Sequence, residues 1–496
     1  MTGERFDVVV VGAGISGIGA GVHLQSKSPD RSFVILEGRD GIGGTWDLFK
    51  YPGIRSDSDM HTLGYEFKPW KAEKSIADGP SIMEYLKETV AEHDLHRRIR
   101  FGERVVRAEW STSTATWTVH TRRNDGSQGT FECNFLFMCA GYYSYKAGYL
   151  PEFPGRDSFR GAILHPQEWP SDLDYANKRV VVIGSGATAV TIVPAMAESA
   201  AHVTMLQRSP TYMVSRPDRD ALANFLRKIL PAQLAYNVTR AKNTWRQQLV
   251  YKRTRTRPDQ IRRLLLGGVQ LELGATYPIM RHFLPRYNPW DQRLCLVPNS
   301  DFFAAIRSGR ASVATDSIET FTETGILLRS GDHLPADIIV TATGLQLVSL
   351  GEAEIFVDGH EVDFAETRTY KGMAYSNVPN LATSFGYINA SWTLRADLTC
   401  TYVCRLLNHM RDTGTRQCTP RLRPDEESMP RRPWIDGFSS GYMQRVMHLM
   451  PTQGDREPWI NPQNYDKDKK MFREGRLDDG VMQFTNPIPA AAAAAS

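Results

Sequence analysis

The chain is poor in the features that would place it in several large functional classes. It has six cysteines, at positions 133, 139, 295, 400, 404 and 418 of 496 residues. No two form a Cys-x-x-Cys pair, and no Cys/His cluster has zinc-ligand spacing, which excludes a zinc fold and a cysteine-pair redox centre. No metal site is expected. Cys400 and Cys404 stand one helical turn apart, a spacing that serves packing, so the expectation is reduced, mostly buried thiols. No stretch approaches the ~18 apolar residues of a membrane-spanning helix. The opening residues, MTGERFDVVVVGAG, have neither a basic n-region nor an apolar h-region with a cleavage site, so a cytoplasmic protein without a secretory signal is expected. The formal net charge is only +4, from 59 Lys+Arg against 55 Asp+Glu. Over this length that is too little to argue for nucleic acid.

What remains is an ordinary globular mixture, 41% hydrophobic and 23% charged. At ~150 residues per domain the length suggests roughly three domains, with enough chain to bury a large core without disulfides or metals.

The first informative segment is an apolar run, Phe6–Val11, of the kind that forms a buried parallel strand. Gly12-Ala13-Gly14-Ile15-Ser16-Gly17 follows at once, then a helical stretch over Ile18–Ser26. A second strand, Phe33–Leu36, ends in Glu37. A Gly-x-Gly-x-x-Gly alone is weak, but between a strand and a helix, with an acid ~20 residues on, it marks a dinucleotide turn. Gly12 permits the tight turn, Gly14 lets the backbone approach a pyrophosphate, and Gly17 lets the helix pack close to the strand. The helix N-terminus offers free N–H groups to phosphate. Glu37 accepts from an adenosine ribose and repels a 2′-phosphate, so this site calls for FAD or NAD.

The pattern recurs. Lys178–Ile183 is a strand, Gly184-Ser185-Gly186-Ala187-Thr188-Ala189 a second turn, and a helix runs to about Ser199. The next strand, His202–Leu206, ends in Gln207-Arg208-Ser209 instead of an acid. Arg208 can bind a 2′-phosphate by charge-assisted hydrogen bonds, with Gln207 and Ser209 adding neutral ones. FAD is therefore expected on the first turn and NADPH on the second. Two further apolar runs closed by glycine, Phe135–Gly141 and Asp337–Gly344, are expected to carry the chain between domains. The expected fold is α/β, with two Rossmann-like dinucleotide-binding domains and a helical insert. The FAD domain takes 1–141 and 345–496, the NADPH domain 142–217 and 286–344, and the insert 218–285.

Between the two turns lies FRGAILHPQEWP. It resembles the Baeyer–Villiger monooxygenase fingerprint Phe-x-Gly-x-x-x-His-x-x-x-Trp-Pro at all five specified positions, Phe159, Gly161, His165, Trp169 and Pro170. Physically it is an interdomain linker, in which Gly161 is expected to allow a tight turn. His165 is read as part of a hinge coupling NADP movement to the flavin, not as a catalyst. The segments GGTWDLFKYPGIRSDSDMHTLGYEFKPW, QRSPTYMVSRPDRD, RYNPWDQRLCLVP and GYINASWTLRADL are similar to the ethionamide-activating subgroup of that family. The similarity covers nearly the whole chain except its alanine-rich end, NPIPAAAAAAS, which is low in complexity.

The resemblance implies a reaction. NADPH reduces FAD, reduced flavin takes up O2 as a C4a-peroxyflavin, and one oxygen is inserted beside a ketone carbonyl to give an ester or lactone. A soft sulfur, in a thioether or thioamide, can be oxidised instead. The substrate implied is a small, lipophilic ketone or sulfur compound. Charge developing in such a reaction calls for a fixed cation. The family's arginine matches Arg293, which cannot lose its proton at working pH. Its acidic partner matches Asp57. Where better-known ketone-converting members carry a lysine before the arginine, this chain has Gln292, which leaves Arg208 more of the phosphate recognition. The same resemblance implies contacts to the FAD pyrophosphate and ribose by Ser16 and Glu37, and flavin-side contacts by Thr45, Trp46, Asp47 and Leu48. It implies cofactor contacts by Arg55, Ser56 and Asp57, the last two near the isoalloxazine, and backbone contacts to adenine at Val105. It also implies a helix beginning at Asn389-Ala390-Ser391-Trp392 that points at the flavin.

Residues 220–270 carry apolar residues at helical spacing and eleven Lys/Arg, including Arg246, Lys252, Arg253, Arg262 and Arg263. This reads as a helical insert in the NADPH domain, over the active site. The plain reading is a solvated basic face; the sharper one is peripheral membrane contact. Three other functions compete with the monooxygenase. A disulfide reductase lacks its cysteine pair here. An N- or S-oxidising flavin monooxygenase without Baeyer–Villiger activity has no need of Arg293. A nucleotide sensor has no need of the catalytic positions.

Overall fold

A computed structural model describes residues 3–487, and most of the alanine-rich end lies outside them. Two sheets organise the chain, each fed by one glycine turn. In the first, β1 (Glu4–Val11) lies between β2 (Phe33–Leu36) and the long β3 (Gln128–Met138), parallel to both. Val8, Val9 and Val10 are fully buried, because a central parallel strand is covered on both faces and must be apolar throughout. On one face pack helix α1 (Ile15–Lys27) and the long helix Trp392–Thr413; on the other, Trp110 and Trp117 head a second core. The antiparallel strands Arg104–Ser111 and Thr116–Arg122 extend the sheet, with Glu354–Val357 and His360–Glu361 beyond them.

From β3 the chain leaves through β4 (Tyr143–Gly148). The second sheet is five-stranded and all parallel, in the order Ala311–Thr315, β6 (His202–Gln207), β5 (Arg179–Ile183), β7 (Ile338–Thr341), Ala162–Leu164. Helix α2 (Ala187–Met196) packs on it. The chain returns through β8 (Leu345–Leu347), which pairs antiparallel with β4. The two crossings between the sheets are thus hydrogen-bonded to each other.

The fingerprint sits at this double crossing. His165 Nε2 lies 3.2 Å from the Gly344 carbonyl, and Nδ1 accepts from the Gln167 N–H at 3.2 Å. A Cβ on Gly148 would fall 1.8 Å from the imidazole. Burial lowers the pKa of His165 against the Gly344 hydrogen bond, so a neutral imidazole with its proton on Nε2 fits both contacts. Gly161 stands at a bend without a positive φ, and its hydrogen makes room for the Asp337 carbonyl, 2.2 Å from where a Cβ would stand.

The insert forms α3 (Ala221–Ile229), α4 (Ala232–Thr256) and α5 (Pro258–Leu273). It does not belong to the second body alone. α5 buries Val269 in the core of the second sheet, while α4 places Tyr236 in the core of the first. Arg240, expected on a solvated basic face, is buried. Its Nη1 donates to the carbonyls of His61, Thr62 and Gly64 at 3.0, 3.2 and 2.7 Å, and its Nη2 lies 3.3 Å from Asp397 Oδ2. The end of the short helix Met60–Leu63 leaves carbonyls unpaired, and a planar guanidinium gathers several at once. All six cysteines are free and buried. Burial pushes their thiols up, Cys404 to about 11 and Cys295 and Cys418 to about 12. Among the described residues no helix is long and apolar enough to cross a membrane.

Candidate active site

Both glycine turns open on one cavity of about 610 Å³. At the first turn Gly12 has φ +101°. A Cβ on Gly17 would lie 1.8 Å from the Gly12 carbonyl oxygen, so this glycine sets the closeness of helix to strand. α1 and α2 begin at Gly14 and Gly186, neither of which has a side chain to cap its helix. Their first-turn N–H groups stay free for an anion. A Cβ on Gly186 would meet no protein atom within 4 Å. Glycine there clears space in the cavity and not in the packing, as a closely approaching phosphate requires. Both turns therefore fit a dinucleotide.

From the first body Gly12, Gly14, Ser16, Glu37, Thr45, Trp46, Arg55, Ser56 and Asp57 line the cavity. From the second come Gly184, Ser185, Gly186, Ala187, Thr188, Arg208, Ser209, Gln292 and Arg293. Glu37 is held at the mouth of the first turn, accepting from the N–H of Ala13 at 2.7 Å and of Arg39 at 2.9 Å. Burial raises its carboxyl pKa against those two bonds. The Ser16 hydroxyl accepts from the Trp392 indole N–H at 2.7 Å, which ties the start of the helix Trp392–Thr413 to the first turn. Arg55 pairs with Asp301 of the second body, and the Ser56 hydroxyl closes a local turn with the Ser58 backbone.

Six expected positions stand off the cavity wall. Gly17 and Ala189 are buried within their helices and act through packing. Asp47 is held by Arg39 at 2.5 Å and Lys50 at 3.2 Å, and Leu48 is not part of the lining. Val105 is buried in its strand and does not reach the cavity. Gln207 is a plain correction. It is 1% exposed, and its amide donates to the His282 carbonyl at 2.7 Å and to Thr315 Oγ1 at 2.8 Å. As the last residue of β6 it faces the core, and only Arg208 and Ser209 beyond it face outward. Ser185 Oγ donates to the Ser209 carbonyl at 3.1 Å, bracing that corner. Arg208 is exposed and has no carboxylate within 4.0 Å among the described residues.

Between the turns, Arg293 Nη1 donates to Asp57 Oδ2 at 2.8 Å, joining the bodies across the cavity. Burial works against the Arg293 charge, but the Asp57 carboxylate beside it outweighs that and holds its pKa well above the usual value. Asp57 takes one N–H, and the other four guanidinium donors have no protein hydrogen-bond partner among the described residues.

Sequence reasoning missed the tyrosines. Tyr51, Tyr142, Tyr143, Tyr145, Tyr287, Tyr387 and Tyr442 all line the cavity. Tyr142 stacks on Trp392 at 5.2 Å, and its hydroxyl lies 2.7 Å from that of Tyr143. Burial pushes Tyr51 and Tyr442 up to about 12, so these are neutral, apolar walls with polar tips. The run Tyr142-Tyr143-Ser144-Tyr145 directly after Gly141 was the available signal. Tyr442 carried none, since it arrives from a distant C-terminal segment. Among the described residues no group of His, Cys, Asp and Glu gathers as a metal site would.

Comparison with known proteins agrees with this geometry. A family model described as "Flavin-binding monooxygenase-like" matches residues 74–256, and one described as "NAD(P)-binding Rossmann-like domain" matches residues 10–72. The chain is 52% identical to the FAD-containing monooxygenase EthA of Mycobacterium tuberculosis (strain ATCC 25618 / H37Rv), covering 98% of this chain and 99% of that protein. It is 51% identical to EthA of Mycolicibacterium smegmatis over 99% of this chain and 100% of that one. Among solved structures, an oxidised steroid monooxygenase bound to NADP superposes with a TM-score of 0.77 at 23% identity, over 97% of this chain and 100% of that chain.

Proposed function

The chain belongs to the flavin-binding monooxygenase family, and from that premise we propose that it is an FAD- and NADPH-dependent Baeyer–Villiger monooxygenase that also oxidises soft sulfur. The observation that carries this reading is the Arg293–Asp57 pair on the cavity between the two nucleotide turns. The free N–H groups of α1 and the Glu37 carboxylate hold the pyrophosphate and ribose of FAD. The free N–H groups of α2, with Arg208 and Ser209, hold NADPH. When bound, the two cofactors supply reducing equivalents and an oxygen atom drawn from O2. Arg293 presents a permanent positive charge where negative charge develops on the ketone oxygen during insertion, and it cannot quench that charge by giving up a proton. Asp57 keeps one guanidinium N–H occupied and so sets the direction of the others. The stacked Tyr142 and Trp392 rings and the neutral phenols keep the wall apolar, which strengthens the electrostatic contribution. Such a cavity suits a small lipophilic ketone, thioether or thioamide.

Arg293→Ala should retain flavin yet lose ester formation from ketones by about 10²- to 10³-fold, the usual cost of one preorganised donor group. Products from a panel of ketones and thioethers, identified by mass, check this. Wild type yielding sulfoxides but never esters would favour a purely S- or N-oxidising enzyme. Ester formation unchanged in Arg293→Ala would refute the role given to the arginine.

A further inference from the structure

We propose that the outward side of the α3–α4 helix pair is a docking surface for an anionic lipid bilayer. Of the thirteen large hydrophobic side chains exposed among the described residues, nine lie between residues 222 and 280. On α3, Leu222, Phe225 and Ile229 recur at the spacing of one helix face. On α4, Leu234, Val238 and Trp245 do the same, and each of these six side chains is between 44% and 65% exposed. The opposite face of α4 is engaged with the protein through Tyr236, Arg240 and Asn243. The apolar stripe is therefore the face that packing leaves over.

The charge pattern selects the partner. Residues 221–258 contain nine Lys/Arg and no Asp or Glu. Four of the nine are engaged by the protein. Arg227 donates to the Ala72 carbonyl, Arg240 is buried, Lys242 pairs with Asp220, and Arg255 pairs with Asp291. The other five, Lys228, Arg246, Lys252, Arg253 and Arg257, have no carboxylate within 4.0 Å among the described residues. A second copy meeting this face about a twofold axis would set these cations against their own kind. Four of the six apolar side chains, Leu222, Ile229, Leu234 and Val238, are aliphatic and give nucleic-acid bases nothing to stack on. Exposed apolar residues interleaved with unpaired cations match the acyl boundary and headgroups of an anionic bilayer.

The surface is also coupled to the cavity. Asn243 and Gln247 of α4 donate to the Asp59 carboxylate at 2.9 and 3.1 Å, two residues from Asp57. Docking would thus place the site beside the phase in which a lipophilic compound dissolves. The docking surface itself does not depend on which oxygenation the site performs.

The test uses the flavin-loaded full chain and sedimentation with phosphatidylcholine vesicles, pure or with about 30% phosphatidylglycerol, at about 0.1 and 0.5 M NaCl. Binding is expected to the anionic vesicles and to fall at the higher salt. The double variant Phe225→Ser/Trp245→Ser should weaken binding about tenfold or more. Lys252→Gln/Arg253→Gln should weaken it about fivefold per cation on anionic vesicles only. Flavin absorbance and NADPH oxidation, unchanged in both variants, report folding. Absence of binding at low salt, equal binding to both vesicle types, or undiminished binding by the apolar variant would overturn the proposal. A wild-type dimer that the apolar variant converts to monomer, without loss of vesicle binding, would assign the face to a second copy instead.

Discussion

Replacing Arg208 with Ala should remove most of the preference for NADPH over NADH. Four arginines line the cavity. Arg55 is paired with Asp301, Arg293 with Asp57, and Arg445 lies over the Tyr149 ring at 3.6 Å. Only Arg208 has neither a carboxylate nor an aromatic partner among the described residues. Gln207 is turned into the core and Gln292 is neutral, so neither adds a cation beside Arg208. A hydrogen bond to a charged group is worth about 1.5–3 kcal/mol net, or about 10- to 150-fold in an equilibrium or rate ratio. Arg208 is exposed, and solvent screening puts the effect near the lower end, about 10- to 30-fold. Steady-state kcat/KM measured with both coenzymes separates the cases. NADPH should fall by that factor while NADH changes less than about twofold. An equal loss for both coenzymes would mean that Arg208 only shapes the corner, and an unchanged ratio would mean that the phosphate is held elsewhere.

Two glycines should part company. Gly17→Ala drives a Cβ into the Gly12 carbonyl and should cost about 3 kcal/mol in a denaturant melt. Gly186→Ala should leave that melt within about 0.5 kcal/mol yet raise KM for NADPH about tenfold, by filling space kept for phosphate. If Gly186→Ala binds NADPH normally, the second turn does not cradle it. Trp392→Phe deletes the 2.7 Å bond to Ser16 and should weaken flavin binding about fivefold, the equivalent of ~1 kcal/mol; fluorescence titration of the apoprotein measures it. His165 has its pKa lowered in the fold by burial, so its unfolded form takes up a proton first as pH falls. Its contribution is complete above about pH 6.5 and is lost as pH drops through the folded value. The melting-temperature advantage of wild type over His165→Gln should therefore shrink on acidification. An advantage that grows toward low pH would contradict the neutral imidazole at the crossing.

The parts of the site that were legible in the sequence are those written in contiguous chain. A strand, a glycine turn and a helix N-terminus make a phosphate cradle within about 30 residues, so Gly12–Gly17 and Gly184–Ala189 identify themselves. The cysteines likewise announced that no redox pair exists. Arg293 and Asp57 were reached only by resemblance. They stand 236 residues apart, and nothing in either neighbourhood names the other.

By itself, the sequence determined the two turns and the opposite charges that follow their strands, because backbone conformation and helix ends are local properties. Tertiary structure decided which side chains reach the cavity. β6 is covered on both faces, so its apolar pattern does not tell inward from outward at its end, and the fold sent Gln207 to the core and Arg208 to the cavity. Packing decided that Arg240 would be buried among carbonyls while Arg246, Lys252 and Arg253 on the same basic helix have no carboxylate partner among the described residues. It also decided that Gly161 must make room for the Asp337 carbonyl. Each of these depends on what lies across a gap in space, which residues close in sequence cannot specify.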